Sequence, residues 1–246
     1  MTLPLYLVDP PALDGVSVGV ELELGGDEGR HAATVRRTRV GERLLVADGL
    51  GCRARAAVVE VARGGLLLRV EDVDSVAPPV PALVLVQALA KGGRDELAVE
   101  TATELGVDAV VPWQAARSVV VWSGERGERS RRRWEQTVRA AAKQARRALV
   151  PEVRPTAGTR DLAEAAAGAH VLVLHEDAEL PLGRAPVPDA GELWVVVGPE
   201  GGVAPEELAE LTGAGAVAVR LGPQVLRSSS AGAAALAVLS ARLGRW

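Results

Sequence analysis

The stretch that decides the fold is Val195-Val196-Val197-Gly198-Pro199-Glu200-Gly201-Gly202. An apolar run of β type leads into a glycine-rich turn, and a helical segment opens shortly afterwards at Pro205. A second unit of the same kind is Leu221-Gly222-Pro223-Gln224-Val225-Leu226-Arg227-Ser228. Two strand–loop–helix units of this kind place both loops at the carboxyl ends of neighbouring parallel strands, where open α/β sheets bind small molecules.

The composition of the two loops predicts a pocket built mostly from main chain. Glycine lets the backbone approach a ligand closely and adopt positive φ, and proline fixes a turn while removing a donor. A third apolar run ends in Leu174-His175-Glu176 and adds a further loop. The loops lack the Gly-Lys-Ser/Thr of a phosphate-binding loop. The run Gly213-Ala214-Gly215 precedes a strand instead of following one, which excludes a dinucleotide fingerprint.

Strands and helices alternate in the chain around these loops. Apolar runs predict strands at 82–88, 108–112, 150–153, 171–174, 193–197 and 216–221, and periodicity predicts helices at 94–105, 130–148 and 228–243. This alternation indicates an α/β fold, with a mostly parallel sheet that has helices on both faces.

The N-terminal third of the chain has a different pattern. Short apolar runs at 5–8, 16–24, 43–47, 53–61 and 66–70 are separated by Gly, Asp and Pro, with one helical piece at 27–38. Short strands with regular turns are typical of a small β-barrel. The proline-rich stretch 77–81 reads as a linker, so we expect a barrel domain over 1–76 and an α/β domain over 82–246.

Composition excludes several classes of protein. The chain has 246 residues and is 48% hydrophobic, which is enough for a sizeable core. Cys52 is the single cysteine and the three histidines are widely spaced, so we expect no disulfide within the chain and no metal site. No basic leader is evident, and no apolar stretch approaches the roughly 18 residues of a membrane helix. We therefore expect a soluble, cytoplasmic protein with no membrane association.

Charge is distributed unevenly. The formal net charge is −4, yet residues 126–147 hold nine basic and two acidic side chains. A local basic stretch can bind a polyanion even on an acidic protein, because local potential steers encounter. The alternative is an ordinary solvated helix face.

The two glycine loops together resemble motifs two and three of the SPOUT methyltransferases. Within that superfamily the chain resembles the RsmE family, which methylates N3 of a uridine in 16S rRNA. Further segments resemble the family in order along most of the chain, beginning with the PUA-like barrel: His31–Arg37, Val40–Gly49, Ala88–Arg94, Ala102–Gly106, Arg117–Val119 and Val150–Glu152.

The resemblance implies a fold, a cofactor and an assembly. The C-terminal segment would be tied through a trefoil knot, which is an exception to the rule against threaded chains. The chain would form a homodimer and bind S-adenosyl-L-methionine in the knot loops. The implied cofactor-binding residues are Leu174, His175, Glu176, Gly198, Pro199, Glu200, Gly202, Leu221, Gly222, Val225 and Leu226. Glu200 has a second interpretation, in which it holds its loop through backbone hydrogen bonds.

The resemblance also implies residues for catalysis and RNA binding. Uridine N3 loses a proton during methylation, and Arg227 is the candidate that stabilises the negative charge or orients the base. The basic positions Lys91, Arg94, Arg117 and Arg147 would contact the RNA. His31 and Arg36 in the barrel domain are second choices, with capping or packing as the alternative.

One departure from the family pattern follows Arg227. The usual Thr-Glu-Thr-Ala is Ser228-Ser229-Ser230-Ala231 here, which removes the carboxylate from that position, although serines can still cap the last helix.

The leading hypothesis is an rRNA (uridine-N3) methyltransferase acting on the small ribosomal subunit. Two alternatives are a SPOUT methyltransferase for another RNA nucleotide and a non-catalytic, RNA-binding ribosome-assembly factor.

Overall fold

The computed structural model describes residues 2–246, which form two compact units. The first unit contains the chain up to Pro78 together with Ala142–Val150, and the second contains Pro79–Ala141 and Pro151–Trp246. Residues 142–150 therefore pack with the N-terminal unit although they are distant from it in sequence.

The first unit is built on a five-stranded sheet with the order β1-β3-β4-β5-β2. Strand β1 runs parallel to β3, and the other pairs are antiparallel. Tyr6, Leu24, Leu44, Leu66 and Leu68 are among the residues of its buried core. The strands are β1 Leu5–Leu7, β2 Glu21–Leu24, β3 Arg43–Ala47, β4 Cys52–Ala62 and β5 Gly65–Ser75.

Two predicted elements of this unit are shorter than expected. The strand predicted at 16–24 exists only as β2, because Gly19 adopts a left-handed φ of +90° just before it. The helix predicted at 27–38 is α1, Gly26–Arg30, followed by one π-helical turn at His31–Val35. Gly29 explains the tight packing of α1, since a Cβ there would lie 2.0 Å from the carbonyl oxygen of Leu24.

The segment 142–150 is held in the first unit by backbone and side-chain contacts. The Val150 N–H donates to the Gly49 carbonyl at 2.9 Å, and the Gly51 N–H donates to the Ala148 carbonyl at 3.1 Å. The Lys143 ammonium pairs with Glu28 and lies 5.2 Å from the centroid of the Tyr6 ring. One cation of the predicted basic helix therefore has a structural role.

The second unit is built on a six-stranded parallel sheet with the order β11-β9-β10-β6-β7-β8. Its central strands are buried along almost their whole length, as a parallel sheet covered on both faces requires. The strands are β6 Ala82–Ala88, β7 Ala109–Trp113, β8 Glu152–Val153, β9 His170–Leu174, β10 Glu192–Val197 and β11 Val217–Val219.

Helices cover both faces of this sheet. Leu162 of α4 and Leu211 of α5 pack in one core with Val84 and Val86 of β6. Helix α6 packs on the other face, where a Cβ on Gly232 would lie 2.9 Å from Cδ1 of Leu85. The helices are α2 Arg94–Glu104, α3 Gly124–Gln144, α4 Thr159–Ala165, α5 Pro205–Gly213 and α6 Ser228–Arg242.

The predicted fold class, an α/β unit with a parallel sheet, is confirmed. Several details differ: α3 begins and ends earlier than the predicted 130–148, β8 and β11 are shorter than the predicted 150–153 and 216–221, and α4 was not predicted. Within residues 2–246, no helix has the length and apolar character needed to cross a membrane.

The strand order determines where a ligand can bind. From β6 the chain adds β7 and β8 on one side, and it then returns so that β10 lies between β9 and β6. In open α/β sheets, ligands bind at the carboxyl ends of the strands where such a change of direction opens a crevice.

Candidate active site

A cavity of about 810 Å³ lies at the carboxyl ends of the parallel strands. It is formed by the loops that follow β9, β10 and β11 and by the start of α6. Its size is within the range of small-molecule pockets. Every residue that the sequence predicts as cofactor-binding lines it: Leu174, His175, Glu176, Gly198, Pro199, Glu200, Gly202, Leu221, Gly222, Val225 and Leu226.

The loop after β10 can be made only with glycine at two positions. A Cβ on Gly198 would lie 2.9 Å from Cγ2 of Val203, so no side chain fits there. Gly202 has a φ of +73°, a left-handed conformation that residues with a Cβ rarely adopt. The Gly202 N–H closes the turn by donating to the Pro199 carbonyl at 2.9 Å.

The loop after β11 ends at the positive end of α6. Arg227 is the N-cap residue, its side chain makes no capping hydrogen bond, and the first turn of α6 contains no acidic residue. The Ser228 side chain lines the cavity with 8% of the residue exposed, and its hydroxyl has no hydrogen-bond partner among residues 2–246. The start of α6 therefore combines an uncompensated helix dipole, a guanidinium and a hydroxyl, which together favour the binding of an anionic oxygen.

Two predicted RNA-contacting arginines lie in the cavity wall. The Arg94 Nη1 donates to Oε1 of Glu200 at 2.8 Å, and the Arg117 Nη1 donates to the Gly201 carbonyl at 2.8 Å. The second interpretation of Glu200, in which it holds its own loop through backbone hydrogen bonds, does not match the structure: its carboxylate accepts a hydrogen bond from Arg94, the first residue of α2.

The loop after β6 is braced by a buried carboxylate. Asp95 accepts the Ala90 N–H at 3.3 Å and the Glu96 N–H at 2.9 Å. Burial of the Asp95 carboxyl raises its pKa above the ordinary value, and these backbone hydrogen bonds oppose the shift. The brace fixes the segment that carries Lys91, an exposed residue that does not line the cavity.

The remaining predicted RNA contacts belong to the first unit. His31 and Arg36 are exposed at the π-helical turn and just after it, and Arg147 is half-buried beyond the end of α3. None of these three side chains lines the cavity.

The basic helix α3 is partly neutralised by carboxylates of its own unit. Arginines of this helix form ion pairs, among them Arg129 with Glu125, Arg131 with Glu128 and Glu135, and Arg133 with Glu96. Its potential is therefore weaker than the residue count suggests.

Several cavity residues were not predicted. Gln224 and Ser228 directly adjoin predicted positions, so the continuity of the motif would have found them. Asp177 and Arg220 flank the predicted segments in the same way. The cavity is also lined by Val203, just before α5, and by Leu208 in the first turns of α5. In the part of the chain that the structure describes, no group of three His, Cys, Asp or Glu side chains is placed to hold a metal ion.

Comparison with known proteins identifies the family. Residues 77–240 match the family described as RNA methyltransferase domain, and residues 24–71 match the family described as RNA methyltransferase PUA domain. The Mycobacterium tuberculosis protein named ribosomal RNA small subunit methyltransferase E is 50% identical over 252 residues, covering 100% of this chain and 94% of that protein. The Bacillus subtilis protein of the same name is 28% identical, covering 87% and 88% of the two chains.

Solved structures agree with these sequence matches. The crystal structure of ribosomal RNA small subunit methyltransferase E from Neisseria gonorrhoeae, bound to S-adenosyl methionine, has a TM-score of 0.84 and 26% identity over 98% of both chains. A Legionella pneumophila putative methyltransferase in complex with S-adenosyl methionine has a TM-score of 0.80 and 25% identity, also over 98% of both chains. The predicted PUA-like N-terminal domain is confirmed, and the chain belongs to the ribosomal RNA small subunit methyltransferase E family, RsmE.

Proposed function

We propose that this protein transfers a methyl group from S-adenosyl-L-methionine to N3 of a uridine in the 16S rRNA of the small ribosomal subunit. The observation that carries the proposal is the meeting of both glycine loops, the positive end of α6 and four arginines around one cavity. The arginines are Arg94, Arg117, Arg220 and Arg227.

The residues present fit this cofactor. Leu174, Leu221 and Leu226 supply apolar surface for an adenine ring, and the glycine loops supply main-chain donors and acceptors for its polar edge. The amino-acid end of the cofactor carries a carboxylate, which the start of α6 and the unpartnered Ser228 hydroxyl can receive. The cofactor's cationic groups would be balanced by Glu176 and Asp177, which also line the cavity.

When bound, the cofactor supplies an electrophilic methyl group on a sulfonium, and the protein supplies placement and electrostatics. Uridine N3 must lose its proton to solvent, which leaves negative charge on the uracil ring, and transfer of the methyl group to N3 would leave the neutral thioether S-adenosylhomocysteine. Arg227 lines the cavity, and its guanidinium stabilises that negative charge. Arg227 is therefore the catalytic residue of the proposed reaction.

RNA binding is assigned to the basic residues around the cavity and in the first unit. Arg94 and Arg117 line the cavity, and Lys91 lies in the loop that leads into α2, which begins at Arg94. Arg147, His31 and Arg36 extend the RNA-contacting set into the PUA-like unit. We further propose that the chain is a homodimer in the cytoplasm, that its C-terminal segment is knotted, and that no metal takes part.

Two alternatives remain distinct from this function. One is methylation of a different RNA nucleotide. The other is a ribosome-assembly factor that binds RNA without catalysis. The close approach at Gly198 and the left-handed φ of +73° at Gly202 favour an enzyme, because a factor without a cofactor would not need a loop restricted to glycine at both positions.

The test in the cell is primer extension on 16S rRNA from a strain in which the gene is deleted. A methyl group on N3 blocks base pairing, so reverse transcriptase stops at the modified uridine. We expect a stop in the wild type that disappears in the deletion strain and returns when the gene is restored. A stop that persists in the deletion strain would refute the proposed substrate.

A further inference from the structure

We propose that Glu207 is a positioning residue that holds Arg117 against the glycine loop and thereby controls how the RNA is presented to the cavity. The inference rests on the proposed RNA-binding role of Arg117. Glu207 lies in the first turn of α5 and is not part of the cavity lining.

The Glu207 carboxylate joins three separate segments of the second unit. Its Oε1 accepts the Ala116 backbone N–H at 2.9 Å and the Thr159 hydroxyl at 2.7 Å. Its Oε2 accepts the Ala204 N–H at 3.2 Å. One side chain thus links the loop after β7, the start of α4 and the end of the glycine loop.

The carboxylate form of Glu207 matches this environment. The residue is 6% exposed, and burying a carboxylate is costly unless hydrogen bonds compensate it. All three partners are neutral donors, and the positive end of α5 adds a favourable dipole. A glutamine side chain would turn an NH₂ group toward one of these donors, so the site selects an acceptor at both oxygens.

The hydrogen bonds of Glu207 hold both segments that meet at the Arg117 contact. Arg117 directly follows Ala116, and its Nη1 donates to the Gly201 carbonyl at 2.8 Å. Its aliphatic stem lies against Gly201, where a Cβ would stand 3.3 Å from the Cβ of Arg117. The same carboxylate therefore fixes the backbone beneath Arg117 and the end of the loop that Arg117 touches.

Capping of α5 does not account for these contacts. A capping function needs only the hydrogen bond to Ala204, and Glu206 in the same turn is an exposed carboxylate that serves the helix dipole equally well. The bonds to Ala116 and Thr159 reach away from the helix, toward the loop that carries Arg117. Glu206 is therefore the matched control.

The experiment compares Glu207→Gln with Glu206→Gln, each alone and combined with Arg117→Ala. Methyl transfer is measured at saturating S-adenosyl-L-methionine, with small subunits from a strain that lacks this methyltransferase, and kcat and KM for the subunits are determined separately. We expect Glu207→Gln to lower kcat/KM by about tenfold, the scale of one hydrogen bond to a charged group. Glu206→Gln should leave it unchanged.

The double variants test whether Glu207 acts through Arg117. When Arg117→Ala is already present, Glu207→Gln should cause little further loss. Equal losses with and without Arg117→Ala would overturn the inference, as would equal losses from the Glu206 and Glu207 variants. Full activity of Arg117→Ala alone would overturn both the inference and the RNA-contact role of Arg117.

Thr159 provides a second route if Glu207→Gln folds poorly. Its hydroxyl donates to Glu207 and accepts the indole N–H of Trp113 at 3.2 Å. Thr159→Val should lower kcat/KM in the same direction, again only while Arg117 is present, and Thr159→Ser should restore it. A Thr159→Ser variant as slow as Thr159→Val would contradict the inference.

Discussion

Arg227 occupies a position at which helices usually have a residue that accepts a hydrogen bond. The preferred N-cap side chains are Ser, Thr, Asp and Asn, because their oxygens satisfy the first free N–H groups. Arginine has no acceptor, so the start of α6 remains electropositive and faces the cavity. A methyltransferase that stabilises an anionic base benefits from this arrangement, although the helix loses a cap.

Arg227→Ala should therefore reduce chemistry more than cofactor binding. We expect kcat to fall by about 100-fold, the usual effect of removing one group that stabilises developing charge. The dissociation constant for S-adenosyl-L-methionine, measured by calorimetry, should stay nearly constant. Arg160→Ala is the control, since Arg160 is a surface residue paired with Glu164. Unchanged kcat would remove Arg227 from the mechanism.

Local sequence identified the loops that line the cavity but not the contacts that hold them in place. The loop residues follow directly from strands, so motif and periodicity bring them together. Glu207 reaches partners 91 and 48 residues away, and Glu200 pairs with an arginine 106 residues away. Contacts at such separations arise from the packing of strands and helices, which no local pattern encodes.

At the scale of elements, the end of α3 departs most from the sequence prediction. The Arg147 N–H donates to the Ala142 carbonyl at 2.8 Å, and the Arg146 N–H donates to the Lys143 carbonyl at 3.1 Å. This is the Schellman ending, in which a left-handed residue, usually glycine, follows the helix. Here that residue is Arg146, with a φ of +58°. The sequence contains no glycine stop signal, so the predicted helix ran on to 148.

Arg146→Gly should stabilise the protein. A left-handed φ raises the free energy of the folded state when the residue has a Cβ. Glycine removes this strain, although it also adds some flexibility to the unfolded chain. We expect a net gain of about 1 kcal/mol in the free energy of unfolding, measured by urea denaturation. Arg146→Ala keeps the Cβ and should give no gain. An equal gain from both variants would show that removal of the charge, not relief of backbone strain, is responsible.

At the scale of the whole molecule, the sequence predicted two different kinds of structure, and both are present. The change from short strands to alternating strands and helices was visible because periodicity is local. The return of residues 142–150 to the first unit was not visible, since it depends on hydrogen bonds between Gly49–Gly51 and Ala148–Val150. The position of β10 between β9 and β6, which opens the cavity, was likewise not visible in the sequence.

The most direct test of the account is the identity of the product. Purified protein is incubated with S-adenosyl-L-methionine labelled in its methyl group and with small subunits that lack this modification. The 16S rRNA is then digested to nucleosides and separated by chromatography. The account predicts label in 3-methyluridine alone. Label in another nucleoside would show that the protein methylates a different RNA nucleotide. Absence of label despite cofactor binding would contradict the proposed catalysis.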